Sequence, residues 1–326
     1  MSSNRKSRVR VPGSTANLGP GFDTLGMALS LYAWIEMAEA EDTVFHLHGD
    51  EMKNVAQDKS NLIYKVAQIV FDAAGVSVPE LEISMYSEIP LARGLGSSAS
   101  AIIGGMVAAN ALIGSPLDEA AIFDMATALE KHPDNVGASL FGGIIAAAWD
   151  GSHADVIRIE PPEDLDTLVV IPEFELATSK ARQALPTELA MADAVYNVSR
   201  SSLLTGALAC GRLDLIGAAM RDRLHQPYRA PLVPGMEAVL AGATQHGALG
   251  VALSGAGPTL IALVDRKESR RDELEAFMKD TMAVHGIQVA SRWLSPCKSG
   301  AALLPASPEG MQNQSFLDMI KGEVRS

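Results

Sequence analysis

The chain has 326 residues, is 48% hydrophobic and carries a formal net charge of −13. That length exceeds a single compact core and predicts two domains, while the acidic balance, with no run of lysine or arginine, excludes nucleic acid and anionic membranes as partners. An anionic ligand must then be held by local devices: a helix end, single arginines or a metal ion. The two cysteines, Cys210 and Cys297, are too few and too far apart for a disulfide framework or a zinc site and read as buried small hydrophobes. The first ten residues are polar and basic without the apolar core of a signal peptide, so a cytoplasmic protein is expected. The apolar stretch Leu95 to Ile113 contains Ser97, Ser98, Ser100 and Asn110 and reads as a buried helix, not a membrane span.

In chain order, Arg8 to Val11 reads as a short strand stopped by Pro12-Gly13, followed by a polar, glycine-rich loop from Ser14 to Asp23. The alternation Leu29, Leu31, Ala33, Ile35, Met37 predicts a second strand, with Val44 to His48 paired beside it. Asn61 caps a helix that runs to Ala74 and stops at Gly75. Leu81, Ile83 and Met85 alternate with polar residues in a strand that ends before Pro90, and a helix apolar on nearly every face follows from Ala99 to Ile113. Ser115-Pro116-Leu117-Asp118 opens another helix, expected to reach about Lys131, with Pro133 as its breaker. Phe141 to Trp149 and Asp155 to Ile159 read as strands.

The Pro/Glu/Asp-rich stretch Glu160 to Asp166 is the expected linker, giving domains 1–165 and 166–305 and a tail, 306–326, whose one amphipathic stretch is Ser315 to Ile320. In the second unit, a strand at Leu168 to Ile171 precedes two or three helices between Glu188 and His246. Strands at Leu249 to Leu253 and Thr259 to Val264, a helix at Asp272 to His285 and a strand at Gln288 to Leu294 complete it. The order β-α-β-β-α-β is the split βαβ plan.

Three polar clusters interrupt this frame. Pro90-Leu91-Ala92-Arg93-Gly94-Leu95-Gly96-Ser97-Ser98-Ala99 joins a strand to a buried helix. Gly94 and Gly96 allow backbone to approach a ligand, Ser97 or Ser98 suits the N-cap, and a helix start holds phosphate through its unpaired N–H groups and the positive end of its dipole. Glycine count alone leaves open a plain tight turn. Neither G-x-x-x-x-G-K-[ST] nor a G-x-G-x-x-G after a strand occurs, which removes the ordinary P-loop and the dinucleotide fingerprint. The second cluster, Glu130-Lys131-His132-Pro133-Asp134-Asn135, offers a Mg²⁺ ligand in Glu130 and polar contacts in His132 and Asn135, against ordinary helix-stop chemistry. The third, Asn17 and Asp23, has short side chains able to orient an amine or hydroxyl, against turn chemistry. Arg182 and Arg229, in proline-flanked loops, suit a carboxylate by two-point geometry, though each alone also reads as a surface arginine.

Together these clusters resemble the GHMP small-molecule kinases. Pro90 to Ala99 matches that family's ATP loop, P-x-x-x-G-L-G-S-S-A, and Ser254-Gly255-Ala256-Gly257-Pro258-Thr259 looks like its C-terminal glycine motif. Asn17-Leu-Gly-Pro-Gly-Phe-Asp23, with His132 to Asn135, Thr178 to Arg182 and His225 to Arg229, points to the branch acting on L-homoserine. The resemblance implies an α+β (mixed α/β) chain of two domains, the first like the second domain of ribosomal protein S5 and the second ferredoxin-like. It also implies transfer of the ATP γ-phosphate to the homoserine hydroxyl, on the path to threonine.

By the same resemblance, Pro90 to Ala99 with Gly255 and Gly257 would bind ATP, Asn61 would lie at the adenine, and Ser98 with Glu130 would hold Mg²⁺. Asn17, Asp23, His132, Asn135, Thr178, Arg182 and Arg229 would bind the substrate. Asn135, Asp23 and Glu130 would serve catalysis, with no dedicated base expected and Asp23 the nearest candidate. Lys131 departs from the glycine many relatives carry there. The expected partner is the small-molecule substrate; a homodimer is compatible with the chain. Another small alcohol, of the mevalonate or sugar type, is the neighbouring alternative, and a metabolite sensor on the same fold the remote one.

Overall fold

The computed structural model describes residues 6–305 and 315–321. β1 (Lys6–Asn17) turns back into the long β2 (Gly21–Glu39), and the two pair antiparallel from Lys6 opposite Ala38 to Asn17 opposite Gly21. The expected stop at Pro12-Gly13 is only a bulge, and the expected loop is mostly strand. Ser14 and Thr15 are polar because they meet other backbone at the site, not because they meet water, and both are fully buried.

β3 (Val44–His48), α1 (Leu62–Ala73) and β4 (Leu81–Ser87) follow. Asn61 caps α1 as expected, accepting from the Ile63 N–H. β3 does not lie beside β2: β4 takes that place, antiparallel to β2, and β3 lies parallel to β4 at the edge. The reason is the crossover through α1, which delivers β4 parallel to β3 where a hairpin could not.

α2 (Ser97–Leu112) is buried along most of its length and packs on β1 and β2, between α1 and α4 (Asp134–Phe141). α3 (Glu119–Glu130) begins at an Asp118 cap, so Pro116 lies before the helix. α4 is a helix that sequence reading missed, because it has only eight residues and carries Gly137 in its middle. Its glycine has a reason: a Cβ there would come within 3.1 Å of Phe123 and Ile145. β5 (Ile144–Trp149) and β6 (Ala154–Ile159) then complete a seven-stranded sheet with β11 (Ala302–Leu303), which pairs with β1.

The Glu160 stretch leads directly into β7 (Leu165–Pro172). Next come α5 (Thr178–Gln183), α6 (Met191–Ala209), α7 (Ile216–Ala219), α8 (Gln226–Arg229) and α9 (Met236–Gly242), shorter and more numerous than expected. Arg182 and Arg229 consequently stand on helices, not in loops. β8 (Gly250–Leu253), β9 (Leu260–Asp265), α10 (Arg271–Val284) and β10 (Val289–Leu294) close the unit. Its antiparallel order, β10-β7-β9-β8, is that of the split βαβ plan.

The apolar run in β7 follows from burial on both faces. Leu168 and Val170 join α9 and α10 in one core, whereas Val169 and Ile171 face the core shared with the first sheet. After β10 the chain returns to the first sheet, pairing Val9 with Leu303, and α11 (Phe316–Ile320) covers Trp34 with Phe316 and Ile320. The remainder of the expected tail lies outside the described residues. Cys210 is exposed and Cys297 half-buried, so neither is the buried hydrophobe expected. Among the described residues no helix is long and apolar enough to cross a membrane.

Phe316→Ala removes the ring that seals Trp34 and should lower stability by up to about 3 kcal/mol. Tryptophan emission should shift to longer wavelength; unchanged emission would contradict this packing.

Candidate active site between the two sheets

A cleft of about 260 Å³ opens where the two units meet. Its lining draws on the turn between β1 and β2, the loop before α2, the junction of α3 and α4, α5, α8 and the turn between β8 and β9. Of the residues singled out in the sequence, Asn17, Asp23, Ala92, Gly94, Gly96, Ser97, Ser98, Ala99, Glu130, His132, Asn135, Thr178, Arg182, Arg229, Gly255 and Gly257 all border it.

At one end, α2 points its N-terminus into the cleft. Its N-cap is Gly96 in the left-handed conformation (φ 73°), which corrects the expectation that Ser97 or Ser98 would cap it. Both serines are thereby released into the first turn, whose N–H groups lack intrahelical acceptors. The glycines are required by close approach: a Cβ would come 2.2 Å from the Ser254 carbonyl oxygen at Gly94, and 2.2 Å from Ser14 Oγ at Gly96. Ser98 Oγ donates to Glu130 Oε1 at 2.5 Å. This all-oxygen pair beside a helix N-terminus fits a hard divalent cation such as Mg²⁺.

Glu130 reaches Ser98 because α3 ends immediately after it, at Lys131 in the left-handed conformation (φ 67°). That conformation suits a glycine, the residue the resemblance leads one to expect here, and Lys131 occupies it at a steric cost. Pro133 and Asp134 then start α4, so four polar residues converge from two helix ends. Asp134, buried and missed by sequence reading, accepts from His132 Nδ1 at 2.6 Å and from the Asn135 N–H at 2.7 Å. Burial pushes the His132 pKa down, but Asp134, with Asp23 and Glu130 behind it, outweighs burial and holds it above the ordinary histidine value. Asn135 Oδ1 accepts from Ser14 Oγ at 2.9 Å, leaving its amide N–H groups toward the cleft.

Opposite, Asn17 is spent on architecture: its amide donates to the Gly255 carbonyl and its oxygen accepts the Asp23 N–H, both at 2.9 Å. Asp23 holds Arg182 in a two-point pair at 2.8 and 3.0 Å. Burial works against the Arg182 charge, and Asp23 overcomes it, raising the pKa further. Arg229 is only 2% exposed. Nε donates to the Ala181 carbonyl, Nη1 to the Gly255 carbonyl and to His225 Nδ1, while Nη2 has no protein partner among the described residues. Burial, then the Arg182 charge beside it, brings Arg229 down to about 10, so it stays cationic at neutral pH.

Five of the singled-out residues do not border the cleft. Pro90 and Leu95 are buried, Leu91 donates its N–H to Glu51, and Arg93 binds the Leu91, Pro172 and Glu173 carbonyls, tying the loop to β7. Asn61 is buried with its amide committed to the Ala56 carbonyl and its oxygen to the Ile63 N–H. The buried Asp134 could have been suspected from its place between two polar residues after a proline. His225 lies at the start of the motif His225 to Arg229, but the motif assigns it no role of its own.

Two sheets that close glycine turns over one helix N-terminus, above a small polar cleft, define a small-molecule kinase of the GHMP class. The family model for the GHMP kinases N terminal domain matches residues 61–143, and that for GHMP kinases C terminal matches 203–283. The homoserine kinase of Moorella thermoacetica is 44% identical over 91% of this chain and 99% of its own length. That of Deinococcus radiodurans is 44% identical over 87% and 92%. The crystal structure of homoserine kinase from Cytophaga hutchinsonii superposes with a TM-score of 0.82 at 25% identity, covering 93% of this chain and 99% of that one. The chain belongs to the homoserine kinase family, and it is an ATP-dependent kinase.

Gly94→Ala forces the loop before α2 away from Ser254 and should cost more than tenfold in kcat/KM as well as several degrees in Tm, since the obstacle is backbone that cannot yield. Lys131→Gly relieves the left-handed strain and should raise stability by up to about 1 kcal/mol in denaturant unfolding.

Proposed function

We propose that the protein phosphorylates the side-chain hydroxyl of L-homoserine, giving O-phospho-L-homoserine and ADP. The observation that carries this reading is Arg229 Nη2, a cationic donor pair with no protein partner among the described residues, aimed into the cleft that holds the Asp23–Arg182 pair. A zwitterionic amino acid matches that set: its carboxylate takes Nη2 and Arg182, and its ammonium takes Asp23. A sugar or another neutral alcohol would leave these charges unanswered.

In this reading the first-turn N–H groups of α2 would hold phosphate oxygens of ATP, and Ser98 with Glu130 would hold Mg²⁺. Bound there, Mg²⁺ neutralises phosphate charge. The Asn135 amide and His132, whose pKa Asp134 holds above the ordinary histidine value, orient the hydroxyl and face the transferred group. The hydroxyl oxygen attacks the γ-phosphorus, the bond to the β–γ bridging oxygen breaks, and ADP leaves. Asp23 is forked on Arg182, and Asp134 already accepts two hydrogen bonds. These partners support a route without a dedicated base, in which the alcohol proton departs late onto the phosphoryl oxygens and positioning supplies most of the acceleration.

Arg229→Ala should raise the homoserine KM about a hundredfold and the ATP KM by less than about threefold in a coupled ADP-release assay. Equal effects on both substrates would overturn the carboxylate assignment. Ser98→Ala should raise the Mg²⁺ concentration for half-maximal rate while leaving the homoserine KM near its native value.

A further inference from the structure

The Arg229 guanidinium works only if its plane is fixed, and its own helix, four residues long, is too short to fix it. Three of its five N–H groups are anchored, one of them on a side chain, His225 Nδ1, at 3.2 Å. His225 is fully buried one turn earlier, and its Nε2 lies 2.8 Å from the Gly19 carbonyl oxygen in the turn between β1 and β2. A carbonyl can only accept, so Nε2 carries the proton; Nδ1 is then a lone pair, the form a guanidinium donor requires. The tautomer is thus set from the first sheet and read by an arginine of the second unit.

The ring has no freedom to do otherwise. Phe22 packs against it at 5.3 Å between centroids, and the Arg229 guanidinium lies over the same Phe22 ring at 5.3 Å. Asp222 receives the His225 and Gln226 N–H groups at 3.0 and 2.7 Å, which fixes the backbone that carries the histidine. Burial, with the neighbouring Arg229 charge, holds the imidazole neutral against the pull of Asp222.

Resting on the homoserine reading above, we infer that His225 is a positioning residue for substrate recognition: as the neutral Nε2–H tautomer it bridges Gly19 and Arg229 and sets the direction of the Nη2 donors that take the substrate carboxylate. It touches neither nucleotide nor reacting atoms. Its loss should therefore be felt in carboxylate recognition and not in phosphoryl transfer.

Two substitutions separate the halves of the bridge. In His225→Asn the side-chain oxygen can stand where Nδ1 stands and still accept from Arg229. In His225→Gln the amide nitrogen can stand where Nε2 stands and still donate to Gly19, but the acceptor for Arg229 is lost. The readout is the ratio of kcat/KM for homoserine to that for homoserine amide, which lacks the carboxylate charge. H225Q should lower that ratio about tenfold, through the homoserine KM, with kcat and the ATP KM within about twofold; H225N should keep it within about threefold of wild type. A histidine that merely supports the fold would lower both substrates equally and leave the ratio unchanged in H225Q, which overturns the proposal. If H225Q does not fold, His225→Ala, which removes the acceptor for Arg229 as well, decides: a ratio about tenfold lower than that of H225N supports the bridge, and an unchanged ratio overturns it. Arg229→Ala is measured alongside. If it leaves the ratio intact, the carboxylate reading itself fails; if it collapses the ratio while H225Q does not, only the role of His225 fails.

Discussion

Everything in this molecule that bears on chemistry depends on one contact of backbone against backbone, where the loop before α2 meets the turn between β8 and β9. The Ser254 hydroxyl donates to the Gly94 carbonyl at 2.6 Å and lies 2.8 Å from Thr15 Oγ1, while the Gly255 N–H donates to the Ala16 carbonyl at 3.1 Å. The Gly255 carbonyl in turn receives Asn17 and Arg229. A single peptide group thus gathers donors from both units, and there is no room for side chains between the chains that carry them. Because buried polar groups without partners are costly, this seam is satisfied fully or it opens. The helix N-terminus and the two arginines at opposite ends of the cleft are held at fixed separation by the same few bonds.

The electrostatics follow from that closure. A chain of net charge −13 repels anions at long range, yet the cleft brings together Arg182, Arg229, a histidine held toward its charged form and the N-terminus of a sixteen-residue helix. Solvent screening confines the protein's general field to distances near the Debye length, so these close groups dominate inside the cleft. The charges alternate in sign over a few ångströms, Asp23 beside Arg182 with Arg229 behind, a pattern that under the proposed function would select a zwitterion.

Much of this was legible in the sequence because it is local. The helix after the glycine loop, the Asn61 cap and the split βαβ order each follow from spacing or from residue type, whereas the pairing of Ser98 with Glu130 comes only from the family resemblance. What escaped is nonlocal. The placement of β4 between β2 and β3 depends on a crossover through α1. The polar stretch Ser14 to Asp23 looks like a loop because hydroxyls and amides read as solvent-seeking, whereas Ser14, Thr15 and Asn17 are buried against partners far along the chain. α4 was hidden by Gly137, whose missing side chain serves a packing contact and not a turn. Asn17 and Asp23, singled out in the sequence, both border the cleft, but their side chains prove largely committed to Gly255 and Arg182, a distinction that only coordinates reveal.

The return of the chain after β10 has a temporal side. The edge of the first sheet is closed by Ala302 and Leu303, and Trp34 is sealed by a helix beginning at Phe316, although the strands they complete lie within the first forty residues. During synthesis, then, the amino-terminal unit emerges before the segments that cover it: its β1 edge and the Trp34 face stay open to water until residues 302–303 and 316–320 have followed. The second unit is thus inserted into the chain of the first, whose edge and Trp34 face are closed by residues made after it.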